Sequence, residues 1–418
     1  MPSSPDLRFL DRTTPPHIAT LILLAGISAL SMNIFLPSLP NMTAHFDTEY
    51  RLMLLSVALY LAVNAVLQLF IGPISDRYGR RPVLLASLAL FLIATLGCIF
   101  APNAGVFLAF RMAQAVVVTG MVLSRAVVRD MVPDAEAASM IGYVTMGMAL
   151  VPMIGPAVGG VLDAAFGWQA SFGMLALLGL GMLALTWADL GETAQPRETS
   201  LLAQFREYPE LFRSRRFWGY ALAASCASGA FFAYLGGAPF VGSEVLGLSP
   251  AVLGLYFGLV AVGYMAGNYL SGRYSVRVGI NTMIFRGTLV ACLGPLLAMA
   301  LFGLGLDHPV SFFGSMVLVG LGNGMTLPNA TAGMLSVRPH LAGTASGLGG
   351  AIMIGGGAGL SALAGAALVP SSGPWPLLAI MLATSAAAVA SVAYVRRIDL
   401  REGPLVGTPP PAARPPRM

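Results

Sequence analysis

A chain of 418 residues that is 56% hydrophobic and 10% charged cannot cover an aqueous surface, because a soluble domain carries about 25% charged residues. Its outside must face lipid. The formal net charge of +5 does not point to nucleic acid: every Lys/Arg-type side chain is Arg, and most of these cluster in short loops between apolar runs.

Residues 1–16 are polar, carry Arg8 and Arg12, and read as a cytoplasmic tail. The apolar run behind them has no A-x-A cleavage pattern, so it is a first span and not a removed signal. A hydrocarbon core of about 30 Å takes about 20 helical residues. Runs of that kind recur along the chain and predict twelve helices, α1 to α12, over 17–39, 50–71, 82–100, 104–126, 138–162, 168–190, 216–240, 250–271, 282–303, 309–333, 341–369 and 374–395. Strands would need the alternating polarity of a closed barrel, which is absent. The predicted fold is an all-α polytopic membrane protein, with an N-terminal six-helix bundle over 17–190 and a C-terminal one over 216–395. The polar stretch 191–215 is the central loop, and 396–418 is a Pro-rich tail.

Every second loop is basic. Arg77, Arg80 and Arg81 follow α2; Arg125 and Arg129 follow α4; five Arg residues occupy the central loop region; Arg273 and Arg277 follow α8; Arg338 follows α10; Arg396, Arg397 and Arg401 follow α12. Loops 101–104, 163–167, 241–249, 304–309 and 370–373 have none. This pattern predicts that both termini are cytoplasmic. Helical spans point to an inner membrane, since outer-membrane proteins are barrels.

The halves repeat one another. Tyr60, Ala65, Val66, Ser75, Arg77 and Tyr78 match Tyr256, Ala261, Val262, Ser271, Arg273 and Tyr274 at one fixed offset. Gly120-Met121 in α4 matches Gly324-Met325 in α10, and Ile154-Gly155 in α5 matches Ile354-Gly355 in α11. The pairs keep their order and topology. That is a parallel repeat about an axis along the membrane normal, the arrangement of two-half alternating-access carriers.

Between α2 and α3 stands Gly72-Pro73-Ile74-Ser75-Asp76-Arg77-Tyr78-Gly79-Arg80-Arg81-Pro82. Gly72 and Gly79 permit a tight turn and close backbone approach. Asp76 suits a neighbouring helix N-terminus, and Arg77, Arg80 and Arg81 suit carboxylate partners. The segment closely resembles the signature loop of the major facilitator superfamily. The resemblance implies twelve helices in two pseudo-symmetric bundles, and makes this loop a latch that closes the cytoplasmic side.

In α4, Arg111 lies mid-way along an apolar sequence. An Arg at a helix centre costs about 2.5–3.5 kcal/mol on insertion scales, so it should face the bundle interior with a partner. Arg111-Met112-Ala113-Gln114 resembles the α4 motif of drug:proton antiporters, although Ala115 and Val117 replace the usual Gly residues. There the Arg supports proton coupling. In α5, Pro152, Gly155, Pro156, Gly159 and Gly160 resemble the antiporter motif of drug exporters. Its prolines bend the helix and its glycines admit a partner backbone. Gly355-Gly356-Gly357 and Gly359 offer a matching surface in α11.

Ser31-Met32-Asn33-Ile34-Phe35-Leu36-Pro37 in α1 resembles the first-helix motif of the bicyclomycin/chloramphenicol-resistance (Bcr/CflA) group of multidrug exporters. Arg125-Ala126-Val127-Val128-Arg129-Asp130 after α4 fits that group too. The group usually has Asp where this chain has Asn33, and an amide cannot exchange a proton. Asp163 and Glu244 lie near the outer mouth and Asp189 near the inner end of α6. Proton coupling therefore uses a peripheral acid, with Arg111 and Asp163 as the candidate residues, or is absent. Polar residues at membrane depth favour helix interfaces or a wet cavity. Asn33, Tyr60, Asn64, Arg111, Tyr256 and Tyr264 are the candidate lining of a central cavity for an amphipathic solute.

The resemblance thus implies a monomeric antibiotic-resistance antiporter in the lipid bilayer, exchanging a small-molecule substrate for protons, with no nucleic-acid partner. The alternative is a carrier exporting a metabolite such as an amino acid, with or without protons. An enzyme is not expected. His17, His45, His308 and His340 are scattered near helix ends, and H-E-x-x-H, G-x-S-x-G and Walker loops are missing. Cys98, Cys226 and Cys292 stand singly without ligand spacing, so no metal and no cofactor is expected.

Overall fold

The computed structural model describes residues 9–131, 140, 144, 151, 154–194, 208–338, 341–369 and 372–403. Among them, eleven helices are long and apolar enough to cross a membrane: α1 Ile18–His45, α2 Tyr50–Tyr78, α3 Arg80–Ile99, α4 Ala104–Val128, α6 Gln169–Asp189, α7 Arg215–Val245, α8 Pro250–Val278, α9 Ile280–Gly303, α10 Val310–Val337, α11 Gly347–Ala367 and α12 Trp375–Glu402. The described end of α5 is the shorter apolar helix Ile154–Phe166. Much of the range expected for α5, including Pro152, lies outside the described residues. No strand occurs among the described residues.

Helix ends follow local chemistry. The Asn103 side chain caps α4 by accepting from the Val106 amide at 3.0 Å, and Ser214 caps α7 by accepting from Phe217 at 3.3 Å. α3 and α9 start behind Gly79 (φ 95°) and Gly279 (φ 83°), backbone positions that disfavour a side chain. α1 outruns its expected end at 39. After Asn33 it tightens into a 3-10 turn, Leu36–Ser38, and resumes over Leu39–His45. Pro37 and Pro40 each sit in the first turn of a segment, where the missing N–H is not needed. α12 runs to Glu402, past the expected end at 395. Its polar last turn is held by an ion pair between Asp399 and Arg216.

The chain divides into two compact units. The first takes Met1–Ala203 with Leu248–Gly258, and the second takes Gln204–Gly247 with Leu259–Met418. In the first unit, Phe35, Phe107, Trp168 and Phe172 form a buried aromatic cluster with ring centroids 5.5–5.8 Å apart. In the second unit α7 is the enclosed helix, with 83% of its most apolar stretch buried against 33% for α11. Small residues make that possible: a Cβ on Gly229 would collide with Leu360, and one on Gly357 with Phe232.

Candidate functional site

Arg111 is completely buried in the first unit. Its Nη2 donates to the Ser31 carbonyl at 2.8 Å and its Nη1 to Ser31 Oγ at 3.3 Å, both on α1. Its Nε donates to the Ser56 carbonyl on α2 at 3.4 Å. Nη1 also donates to Gln114 Oε1 one turn along α4, and Gln114 Nε2 donates to Thr95 Oγ1 on α3 at 2.8 Å. The guanidinium carbon lies 3.9 Å from the Tyr60 ring centroid and 4.4 Å from that of Phe35. One side chain therefore gathers α1, α2, α3 and α4 through neutral acceptors and π faces. No carboxylate pairs with it among the described residues. The partner of this buried cation is a set of dipoles, not a counter-ion.

The signature segment is built differently. Gly72 lies inside α2 with nothing near its Cβ position, whereas a Cβ on Gly79 would collide with the Glu192 carboxylate. Close approach is thus the business of Gly79 alone. Arg80 is buried and doubly paired, to Asp76 at 2.5 Å and to Asp130 at 3.1 Å. Asp76 meets the Arg80 side chain one turn on, not a helix N-terminus. The amides at the start of α3 are taken by Glu192, from Arg80 at 2.8 Å and from Arg81 at 3.2 Å. Arg77 is exposed and lies over the Tyr78 ring at 5.4 Å.

This all-helical, twice-divided architecture with a charge-paired loop has known counterparts. The family model described as Major Facilitator Superfamily matches residues 21–360. The chain belongs to the major facilitator superfamily. A chloramphenicol resistance protein of Pseudomonas aeruginosa is 30% identical, with 92% of each chain covered. A bicyclomycin resistance protein homolog of Haemophilus influenzae is 27% identical over 87% of this chain and 92% of that one. These relatives bear out the resemblance read from α1. The crystal structure of the peptide transporter POT in complex with sulfate superposes with a TM-score of 0.75 at 16% identity, covering 92% of this chain and 94% of that one. At that identity it shows the major facilitator fold alone.

Within this fold the α5 glycines face α1 closely. A Cβ on Gly159 would overlap the Ile34 carbonyl, and one on Gly155 would come within 3.1 Å of Leu30. A Cβ on Gly160 would meet the Pro250 carbonyl, and one on Gly254 the Pro156 carbonyl, so the first turns of α8 group with the first unit. Asn33 is fully buried there, its Nδ2 donating to the Ala29 carbonyl at 2.7 Å and its Oδ1 without a hydrogen-bond partner. Asp163, 5% exposed, accepts from Asn41 Nδ2 at 2.7 Å through Oδ2. Its Oδ1 has no hydrogen-bond partner, and neither has the buried Ser38 hydroxyl.

Of the residues expected to line a cavity, Asn33, Tyr60 and Arg111 have no exposed surface, and Asn64 is buried with Gln68 Nε2 on its Oδ1 at 2.8 Å. These four belong to the first unit, where Tyr60 and Arg111 touch. Tyr256 falls in the first unit and Tyr264 in the second, each partly exposed. Ser31, Thr95, Asn41 and Glu192 were not foreseen. Ser31 stands two residues before Asn33 in the α1 motif, and that proximity was the available signal. Glu192 lies in a polar linker, where a single acid carries no pattern.

Proposed function

We propose that the chain exports drug-like small molecules across the inner, cytoplasmic membrane by alternating access, taking up protons in exchange, as a monomer with both termini in the cytoplasm. Fully buried Arg111, with no carboxylate against it among the described residues, carries the reading. A permanent charge in a low-dielectric interior acts on any proton site in the same unit. Asp163 is the acid we assign to that role, because it is buried and holds one oxygen without a hydrogen bond. The names of the relatives, resistance proteins for chloramphenicol and bicyclomycin, support drugs as the cargo. Within the first unit, the proposed solute path runs beside Asn64 and Tyr256. The paired signature loop, from Gly72 to Arg81, is the proposed cytoplasmic gate.

One observation favours a second reading, a metabolite carrier without proton coupling. Asn33 is an amide at the position where the resembling group carries an acid. Protein in liposomes under a pH gradient decides between them. Chloramphenicol- or bicyclomycin-dependent proton flux that is lost in Arg111→Ala supports antiport. Folded protein that moves no protons across a broad drug panel supports the metabolite carrier.

A further inference from the structure

Each bundle ends on the same four-residue pattern. Asp189-Leu190-Gly191-Glu192 closes α6 and Asp399-Leu400-Arg401-Glu402 closes α12, at one common offset. The two copies make different bonds to corresponding places.

In the first unit Asp189 is completely buried. Its Oδ1 accepts from the Leu10 amide at 2.8 Å in the segment before α1, and its Oδ2 from the His17 amide at 3.0 Å and from Thr20 Oγ1 at 2.6 Å, both at the start of α1. Three residues on, Glu192 takes the Arg80 and Arg81 amides that open α3. Helix N-termini leave amides unpaired, and the residue before α3 is Gly79, which has no side chain to cap them. Glu192 supplies that cap from the far end of the bundle's sequence. Arg81 returns the contact, its Nε donating to the Leu190 carbonyl at 2.8 Å and its Nη2 to the Trp187 carbonyl at 3.0 Å, at the C-terminal end of α6.

In the second unit Asp399 accepts from Asn281 Nδ2 at 2.5 Å, at the start of α9, and stands 3.5 Å from Arg216 Nε at the start of α7. Glu402 lies 3.8 Å from Arg216 Nη2, which also donates to the Gly403 carbonyl at 2.5 Å. Asn281 in turn accepts from Tyr220 on α7 at 2.8 Å. Helices α7, α9 and α12 of this unit correspond to α1, α3 and α6 of the other. Backbone amides and the Thr20 hydroxyl do the work in one copy, and an Arg and an Asn side chain do it in the other.

We infer that this Asp-Leu-x-Glu pair is a positioning device. It ties the first, third and sixth helices of each bundle together at the Arg-rich end, so that each bundle moves as one body and the signature loop stays in register with α3. The inference rests on the transport reading above for its use, though not for its existence. Convergence of unlike donors on the same three helix ends is its support, because a tie needed once and merely inherited would keep its donors.

The test uses full-length wild type, E192Q, D189N/E192Q and D399N/E402Q in liposomes, with amide hydrogen exchange and chloramphenicol efflux as readouts. In D189N/E192Q, exchange at Leu10, His17, Arg80 and Arg81 rises about tenfold or more. In D399N/E402Q those amides stay protected while the starts of α7 and α9 loosen. In both, the maximal efflux rate falls roughly tenfold with KM held within about twofold, while exchange in the other helices stays at its wild-type level, which a general loss of fold would not allow. Unchanged exchange overturns the tie. Raised exchange with unchanged efflux, or a rate and KM that move together, overturns its role. Should D189N/E192Q not fold, E192Q carries the test alone at Arg80 and Arg81, because Glu192 is exposed. Should wild type move no chloramphenicol, drug efflux of this probe fails as a reading, and the exchange arm still decides the tie.

Discussion

Replacing Arg111 by Met removes the guanidinium while keeping much of the side-chain volume. Two of its hydrogen bonds are strong, to the Ser31 carbonyl and to Gln114, and a charged hydrogen bond is worth about 2 kcal/mol. The two ring contacts, to Tyr60 and Phe35, add about 1 kcal/mol each. Against these roughly 6 kcal/mol stands the relief of an Arg at membrane depth, about 3 kcal/mol. The net expectation is a loss of about 3 kcal/mol, which for a unit of this size lowers the melting temperature by about 6–12 °C. Arg111→Lys keeps the charge but not the planar fork. It should lie between wild type and Met in stability and match Met in lost drug-dependent proton flux. Thermal unfolding in detergent and flux in liposomes measure the two effects. A Met variant that melts within a degree of wild type and transports normally would refute both the buried contacts as a source of stability and Arg111 as a coupling residue.

Gly159→Ala drives a methyl into the Ile34 carbonyl and should destabilise the first unit by about 1–3 kcal/mol, whereas Gly72→Ala, with open space around it, should melt like wild type; equal melting of the two would contradict the packing. Gly79→Ala sets a side chain at φ 95° and ψ 150° against Glu192, a glycine-only region costing about 1–3 kcal/mol, and should speed amide exchange at the start of α3. Asp163→Asn keeps a polar group beside Asn41 but removes the ionisable oxygen. Folding should survive while drug-dependent proton flux in liposomes is abolished, and persistence of that flux would remove Asp163 from the coupling scheme.

The fold was legible because lipid leaves few options: apolar runs of spanning length, alternating basic loops and an internal repeat together require paired helical bundles. Where sequence reading stopped, the deciding contacts were long-range. Proline at 37 and 40 signals a helix end, yet in a first turn it permits a restart, and only tertiary packing chooses between the two. Glu192 lay in a stretch read as linker, so its hold on the amides of α3 was invisible. Asp399 and Glu402 fell in a stretch read as tail, four and seven residues beyond the expected end of α12 at 395. Aligning that polar end with the end of α6 would have exposed the second copy of the pattern, but apolar periodicity gives no reason to look there. Arg111 was singled out by its cost, which is a property of one residue. Its partners Ser31, Ser56, Gln114 and Thr95 are small neutral groups common in membrane helices, and nothing in their spacing marks them.

Arg80 and Arg111, two buried arginines among the described residues of the first unit, show why charge compensation, more than burial, separates a fixed element from a responsive one. Arg80 stands between Asp76 and Asp130, so that removing one acid still leaves it paired with the other. Its charge is balanced locally, so the signature loop can be held by interactions inside one bundle. Arg111 is further out of water than Arg80 and is met only by dipoles and rings. Its field is therefore not cancelled at short range and extends through the low-dielectric interior. A proton arriving at or leaving a carboxylate in the same bundle changes the energy of that arrangement, while it barely alters the neutralised cluster at Arg80. Coupling that depends on Arg111 should thus tolerate rearranged neutral partners but not an added fixed acid. An Asp at position 114 in place of Gln, able to pair with Arg111 permanently, is expected to preserve folding and abolish drug-dependent proton flux.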